Sequence, residues 1–277
     1  MSRVRIAAVA DLHCRLGSSG KFRHALSPAA DEADVMVIAG DLCDFGQVAE
    51  AEILADDLQA IRIPKVAVLG NHDHESERGA ELTQILTHAG VHVLQGDGWV
   101  FDKRIGFAGV KGFAGGFADA TLQAWGEPIT KAFVREAIDQ ALMLETALAK
   151  LDASGFKTKI AITHYAPIRA TVMGEKPEIF PFLGTSRLAE VMDKMGVSVG
   201  FHGHAHHGAL RGQTPGGVPI YNVAMPLLRA ELGRRYVLVD VEAPAHGERA
   251  GPPGPAHAAP SPAMAAPSSA HALDDDI

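Results

Sequence analysis

The chain has 277 residues, with 25 Lys+Arg against 33 Asp+Glu for a formal charge of −8, fourteen His and two Cys. That length supports one large domain or two small ones with a real core, the 47% apolar content excludes a disordered chain, and Cys14 and Cys43 cannot build a disulfide framework. The acidic balance, without a Lys/Arg block, argues against nucleic acid held by general electrostatics, and the histidine count points to metal or phosphate chemistry.

In chain order, the first predicted strand is Val4–Ala10. Its apolar run from Ile6 is shorter than a secretory leader and ends on Asp11, so the expected location is the cytoplasm. A second strand, Val35–Ala39, is followed by Leu54, Leu58 and Ile61 at helical spacing. Predicted strand Lys65–Leu69 precedes a helix carrying Leu82, Ile85, Leu86 and Ala89, stopped at Gly90. Val91–Leu94 and Ile105–Val110 read as strands, and an irregular stretch runs from Lys111 to Pro128. The longest predicted helix spans about Lys131 to Asp152, with Ala137, Ala141, Leu144, Leu148 and Leu151 on one stripe. After predicted strand Lys159–Thr163 comes a second irregular stretch, Pro167 to Gly184, then predicted strands Val197–Phe201, Pro219–Val223 and Tyr236–Glu242. No apolar stretch approaches the roughly 18 residues of a membrane span. Strand–helix alternation predicts an α/β domain over residues 1–242. Residues 243–277, rich in Ala and Pro, read as a disordered tail; Glu248, Asp274, Asp275 and Asp276 outnumber its single Arg249.

Five polar clusters each follow a predicted strand: Asp11-Leu12-His13, Gly40-Asp41-Leu42-Cys43-Asp44, Gly70-Asn71-His72-Asp73, Thr163-His164 and His202-Gly203-His204-Ala205-His206. Carboxyl ends of strands in α/β sheets converge on one edge, which lets side chains far apart in sequence meet there. A mixed Asp/Asn/His set without thiolate suits a pair of divalent ions and disfavours a structural zinc site. Gly40, Gly70 and Gly203 precede the candidate ligands where tight turns are needed. Taken singly, Asp11, Asp41 and Asn71 are ordinary turn or capping residues; the set is not ordinary.

The ordered series DLH, GDLCD, GNHD, TH and GHAH, over residues 11 to 206, resembles the calcineurin-like metallophosphoesterase superfamily. The resemblance implies a four-layer αββα sandwich of two mixed β-sheets flanked by helices. It implies one ion held by Asp11, His13, Asp41 and His206, and a second by Asp41, Asn71, His164 and His204, with Asp41 bridging. The ions would be two divalent metals, Mn or Fe, with Zn as the alternative. A metal-bridging hydroxide would attack phosphorus in line, while noncoordinating His72, oriented by Asp44, assists the leaving group.

The family includes protein phosphatases, whose pattern resembles GDxxDRG. Here Phe45 stands where that pattern has Arg, which removes a bidentate phosphate clamp and counts against a dedicated protein phosphatase; the GNHD form, the closing GHxH and the compact size resemble bacterial class III cyclic nucleotide phosphodiesterases, which implies a small phosphodiesterase acting on a small-molecule phosphoester. The alternatives are a phosphomonoesterase or protein phosphatase, and a protein-binding scaffold on the same fold. The pattern leaves the oligomeric state open and admits nucleic acid only as substrate.

Arg15, Arg169 and Lys176 are candidate substrate contacts, as is Trp125, with Phe113 and Phe117 beside it in the first irregular stretch. His202 reads as a packing or supporting residue, and His207 as a rim residue. His24, His74, His88 and His92, and the tail histidines His246, His257 and His271, carry no chemical expectation. Cys14 and Cys43 read as buried small apolar residues rather than a redox pair.

Overall fold

A computed structural model of the protein describes residues 2–245. The first half supplies β1 (Ser2–Val9), α1 (Lys21–Leu26), α2 (Ala29–Glu32), β2 (Val35–Ala39), α3 (Val48–Gln59), β3 (Lys65–Val68), α4 (Gly79–His88) and β4 (Val91–Leu94). The second half supplies β5 (Asp97–Phe101), β6 (Ile105–Val110), α5 (Pro128–Ala153), β7 (Thr158–Thr163), α6 (Phe180–Leu183), α7 (Ser186–Lys194), β8 (Val199–His202), β9 (Arg211–Gln213), β10 (Pro219–Asn222), α8 (Met225–Leu232) and β11 (Val237–Ala243).

One sheet has the order β11-β1-β2-β3-β4 and the other β5-β6-β7-β8-β10-β9. Both are mixed: β1 to β4 pair in parallel with antiparallel β11 at the edge, while β6, β7, β8 and β10 run parallel between antiparallel β5 and β9. Side-chain alternation explains the layering. In β1, Val4, Ile6 and Ala8 face the second sheet and pack with Ile105, Phe107, Ile160, Ile162 and Phe201, while Ala7 and Val9 face outward to Leu54, Leu58 and Phe22 of the helices. β2 is buried on both faces, which is why it reads as an unbroken apolar run. On the far side, Ala108, Val110 and Ala161 meet Ala141, Leu144 and Leu148 of α5 and Leu188 and Met192 of α7. The four layers are therefore helix, sheet, sheet, helix.

Helix ends follow local chemistry. α3 starts with a capping box between Gln47 and Glu50. Pro128 opens α5 three residues ahead of the predicted start, and the Thr185 hydroxyl accepts the Arg187 N–H at the start of α7. The expected stripe of α5 is buried throughout. The irregular stretch from Lys111 holds one 3-10 turn (Ala118–Ala120), whereas the stretch from Pro167 is largely ordered into 3-10 turns at Arg169–Val172 and Pro177–Ile179 and into α6. Ala243, assigned to the tail from composition, is the last residue of β11; the expected tail beyond Ala245, including His246, His257 and His271, lies outside the described residues. Among the described residues no helix is long and apolar enough to cross a membrane.

Candidate metal centre

β1, β2, β3, β7 and β8 end at one edge of the sandwich and deliver the five clusters there. The turns after them are tight, and among the described residues four of the eight non-glycine residues with positive φ are Asp11, His13, Asp41 and His204 (φ 57°, 46°, 50° and 69°). Left-handed backbone is unfavourable for such residues and concentrates at functional sites. Two glycines permit the crowding. Gly40 has φ 90°, and a Cβ there would overlap the His164 ring; a Cβ at Gly70 would overlap the Asp41 carboxylate and amide.

Three groups of potential ligand atoms each fall within 4.8 Å of one another: Asp11/His13/His206, Asp41/His164/His204 and His13/Asp44/His72. Asn71 joins the second through its Oδ1, 2.9 Å from His164 Nε2. His13 belongs to both the first and third groups, and its Nε2 lies 3.8 Å from Asp41 Oδ2 and 3.5 Å from His206 Nε2. Every residue expected from the strand-end pattern is thus brought to one place.

The supporting contacts orient these side chains. His164 is fully buried and its Nδ1–H donates to the Ala39 carbonyl at 3.0 Å, which aims Nε2 at Asp41 and Asn71. The Asp11 carboxylate accepts the His204 N–H at 3.1 Å, and Asp41 Oδ1 accepts the His72 N–H at 2.9 Å. Burial alone would lower the His164 pKa, but the adjacent Asp41 carboxylate outweighs it and lifts the imidazole to about 9; the Asp41 carboxyl is held low in return, against its own burial. Burial brings His204 down to about 4 and also lowers His13, while the hydrogen bond to Asp11 raises His206.

The residues fit divalent ions. Among the described residues His13 Nδ1 is buried without a hydrogen-bond partner, His13 and His206 point ring nitrogens at each other, and the donors are carboxylate, amide and imidazole without thiolate.

His72 stands half-buried at the rim, its ring edge-on to His13 at 4.6 Å. Its Nδ1 lies 2.6 Å from the backbone carbonyl of Asp44, not from the carboxylate expected to orient it. The Asp44 carboxylate is taken up by Arg15 Nε at 2.7 Å and approaches His13 Nδ1 at 3.2 Å, because the turn after β2 points that side chain back toward the β1 loop. Arg15 therefore lies beside the cluster. Arg169 is exposed, with its guanidinium 5.7 Å from the Phe180 ring, and among the described residues it makes no ion pair or hydrogen bond with the ligand groups. Trp125 is 67% exposed and makes no hydrogen bond or ring contact with the cluster among the described residues. His202 is buried and neutral, brought down to about 4 by burial, with Nε2 2.8 Å from Thr171 Oγ1; it packs rather than ligates. His207 is exposed, as expected of a rim residue.

Sequence reasoning assigned no role to Asp73 and Lys111. The fully buried Asp73 carboxylate accepts the N–H groups of Cys43 (2.7 Å), Gly70 (2.8 Å) and Leu42 (3.1 Å), tying the β2 and β3 turns together. Burial and the neighbouring Asp41 charge push it up to about 7, opposed by those three bonds. Lys111 follows β6 at the same edge, with Nζ 4.7 Å from the Phe113 ring and 5.3 Å from that of Tyr165, and the Tyr165 ring lies 4.4 Å from that of His204. The strand-end rule that found the other clusters also marks Lys111.

Among solved structures, a phosphopantetheinyl hydrolase from Mycobacterium tuberculosis is similar over 84% of this chain and 95% of its own, with 17% identity and a TM-score of 0.56. The protein TT1561 of Thermus thermophilus matches over 87% and 99%, with 16% identity and a TM-score of 0.52. A purple acid phosphatase from yellow lupin (Lupinus luteus) seeds matches over 80% and 44%, with 14% identity and a TM-score of 0.52. These likenesses concern the fold. No curated protein matches the sequence. A profile of the calcineurin-like phosphoesterases does match, over residues 4–208, a span that holds every ligand group described above. The chain belongs to the calcineurin-like phosphoesterase family, metal-dependent hydrolases of phosphoester bonds.

Proposed function

We propose that the protein is a small phosphodiesterase working through two divalent ions, Mn or Fe. Asp11, His13, Asp41 and His206 would hold one ion, and Asp41, Asn71, His164 and His204 the other. The observation that carries this reading is the shared edge: two ligand groups, each drawing residues from both sheets, with Asp41 between His13 and His164. When bound, such ions supply Lewis acidity at phosphorus and a nucleophile derived from water.

The chain's own residues supply the rest. The Asp44 carbonyl can only accept, so His72 carries its hydrogen on Nδ1 and leaves Nε2 for the departing oxygen. Protonated there, His72 donates to the alkoxide as the ester bond breaks. The backbone bond from His72 to Asp41 fixes the distance between this acid and the bridging carboxylate. Phe45 supports the diester preference: its ring is 47% exposed where a guanidinium clamp would meet a dianionic monoester.

The test is hydrolysis of bis-p-nitrophenyl phosphate against p-nitrophenyl phosphate with Mn present, in the native chain and in Asp41→Ala and His72→Ala. The diester should be preferred and both variants should lose activity. Full activity in either variant removes the mechanism, and faster monoester turnover replaces the diester reading with a phosphomonoesterase.

A further inference from the structure

Beside the ligand groups lies a cavity of about 610 Å3, the size of a nucleotide-binding pocket. Asp11 and His13 form one wall; Arg15, Lys21 and Arg229 surround the remainder over a floor that includes Phe22 and Met225. No other acidic residue lines it, although the whole chain carries a charge of −8. Arg15 is already paired with Asp44, but among the described residues Lys21 and Arg229 have no carboxylate at ion-pair distance. The loop carrying Arg15 and the start of α1 carrying Lys21 are held in place. Ser18 Oγ accepts the Arg15 N–H at 3.1 Å, and the buried Asp57 carboxylate accepts the N–H groups of Gly20 and Phe22 at 2.9 Å. Arg229 comes from α8, beyond the residues 4–208 that match the family, whereas Arg15 and Lys21 lie within them.

Resting on the phosphoesterase reading of the adjacent cluster, the geometry points to a substrate with a second phosphate group. One phosphoryl group sits at the cluster while the second is bound by Lys21 and Arg229, and the organic body between them covers the apolar floor. Lys21 Nζ lies 5.8 Å from the centre of the Phe22 ring, and cations without a carboxylate partner bind an anion without first breaking an ion pair; a phosphate oxygen accepts from either side chain.

The experiment is calorimetric binding to the Mn-loaded full chain, comparing AMP with ADP and adenosine 3′,5′-bisphosphate. At least one of the two-phosphate ligands should bind tenfold or more tightly than AMP. In Lys21→Glu/Arg229→Glu that preference should fall to within twofold, whereas Lys131→Glu/Lys150→Glu, the same charge change on α5, should keep it. Equal binding of all three ligands to the native chain, survival of the preference in the first variant, or its loss in the second overturns the proposal. Should the reversal variant fail to fold by circular dichroism, Lys21→Met/Arg229→Met is read by the same criterion. A native chain that shows the preference but does not hydrolyse bis-p-nitrophenyl phosphate refutes the phosphodiesterase and leaves the second phosphate site standing.

Discussion

Replacing Asp73 with alanine removes one side chain and strips three buried N–H groups, on Leu42, Cys43 and Gly70, of their acceptor. Each orphaned buried donor costs about 1–3 kcal/mol, so the gross loss is roughly 3–9 kcal/mol. Part of this is returned. Burial and the Asp41 charge already oppose ionisation of Asp73, and water can follow into the space left behind. A net loss of about 3 kcal/mol results, or roughly a 1 M fall in the urea midpoint at an m value near 3 kcal/mol/M. Circular dichroism of the metal-free chain in urea measures it. Asp73→Asn separates the two contributions: it keeps the shape, discharges the site and turns an NH2 toward one of the donors. The alanine variant should be the less stable of the two, with both below the native chain. A midpoint for Asp73→Ala within 0.3 M of native, on the scale of the roughly 1 M shift expected, would refute the argument that these bonds brace the two turns.

Four further outcomes follow from the same contacts. Gly70→Ala should leave the fold intact but displace Asp41, cutting bound Mn by at least half as measured by elemental analysis, because the new Cβ would occupy the space of that carboxylate. Phe107→Ala, in the core between the sheets and fully buried, should cost about 3–5 kcal/mol in urea unfolding. Cys14 and Cys43 are both fully buried, and burial pushes the Cys14 thiol up to about 12 and the Cys43 thiol higher still. Ellman's reagent should therefore label neither until the protein is unfolded. In the metal-free protein His164 holds its proton up to about pH 9, against 6.5 when unfolded. The Asp41–His164 pair therefore stabilises fully below pH 6.5 and is lost as the pH rises through 9. The melting temperature in EDTA should fall across that window and do so less in His164→Gln.

The strands facing both layers were legible because β-branched runs of four to six residues, buried on both faces, leave no other reading. β5 and β9 were not. Asp97 and Gly98 open β5 with turn residues, and β9 is the polar edge segment Arg211-Gly212-Gln213; each is a strand by virtue of its pairing with β6 or β10. The candidate ligands were legible for a topological reason, since residues directly after parallel strands must share an edge. How Asp44 meets His72 was not, because a motif names a residue and does not say whether its carbonyl or its carboxylate makes the contact. Trp125, a candidate substrate contact by its place in an irregular stretch, is an exposed residue without a contact to the cluster among the described residues, so its surroundings were not legible from composition.

The two sheets meet at a tight turn, Gln95-Gly96, between β4 at the edge of one and β5 at the edge of the other. Everything the first sheet contributes to the cluster, from Asp11 to His72, is translated before that turn, and His164, His204 and His206 come after it. Neither half of the polypeptide owns either complete group of the candidate ligands, Asp11/His13/His206 or Asp41/His164/His204. The cluster is in this sense a covalently tethered interface, and cutting the chain at Gln95-Gly96 would make it an intermolecular one. Metal affinity would then depend on the concentration of the two fragments.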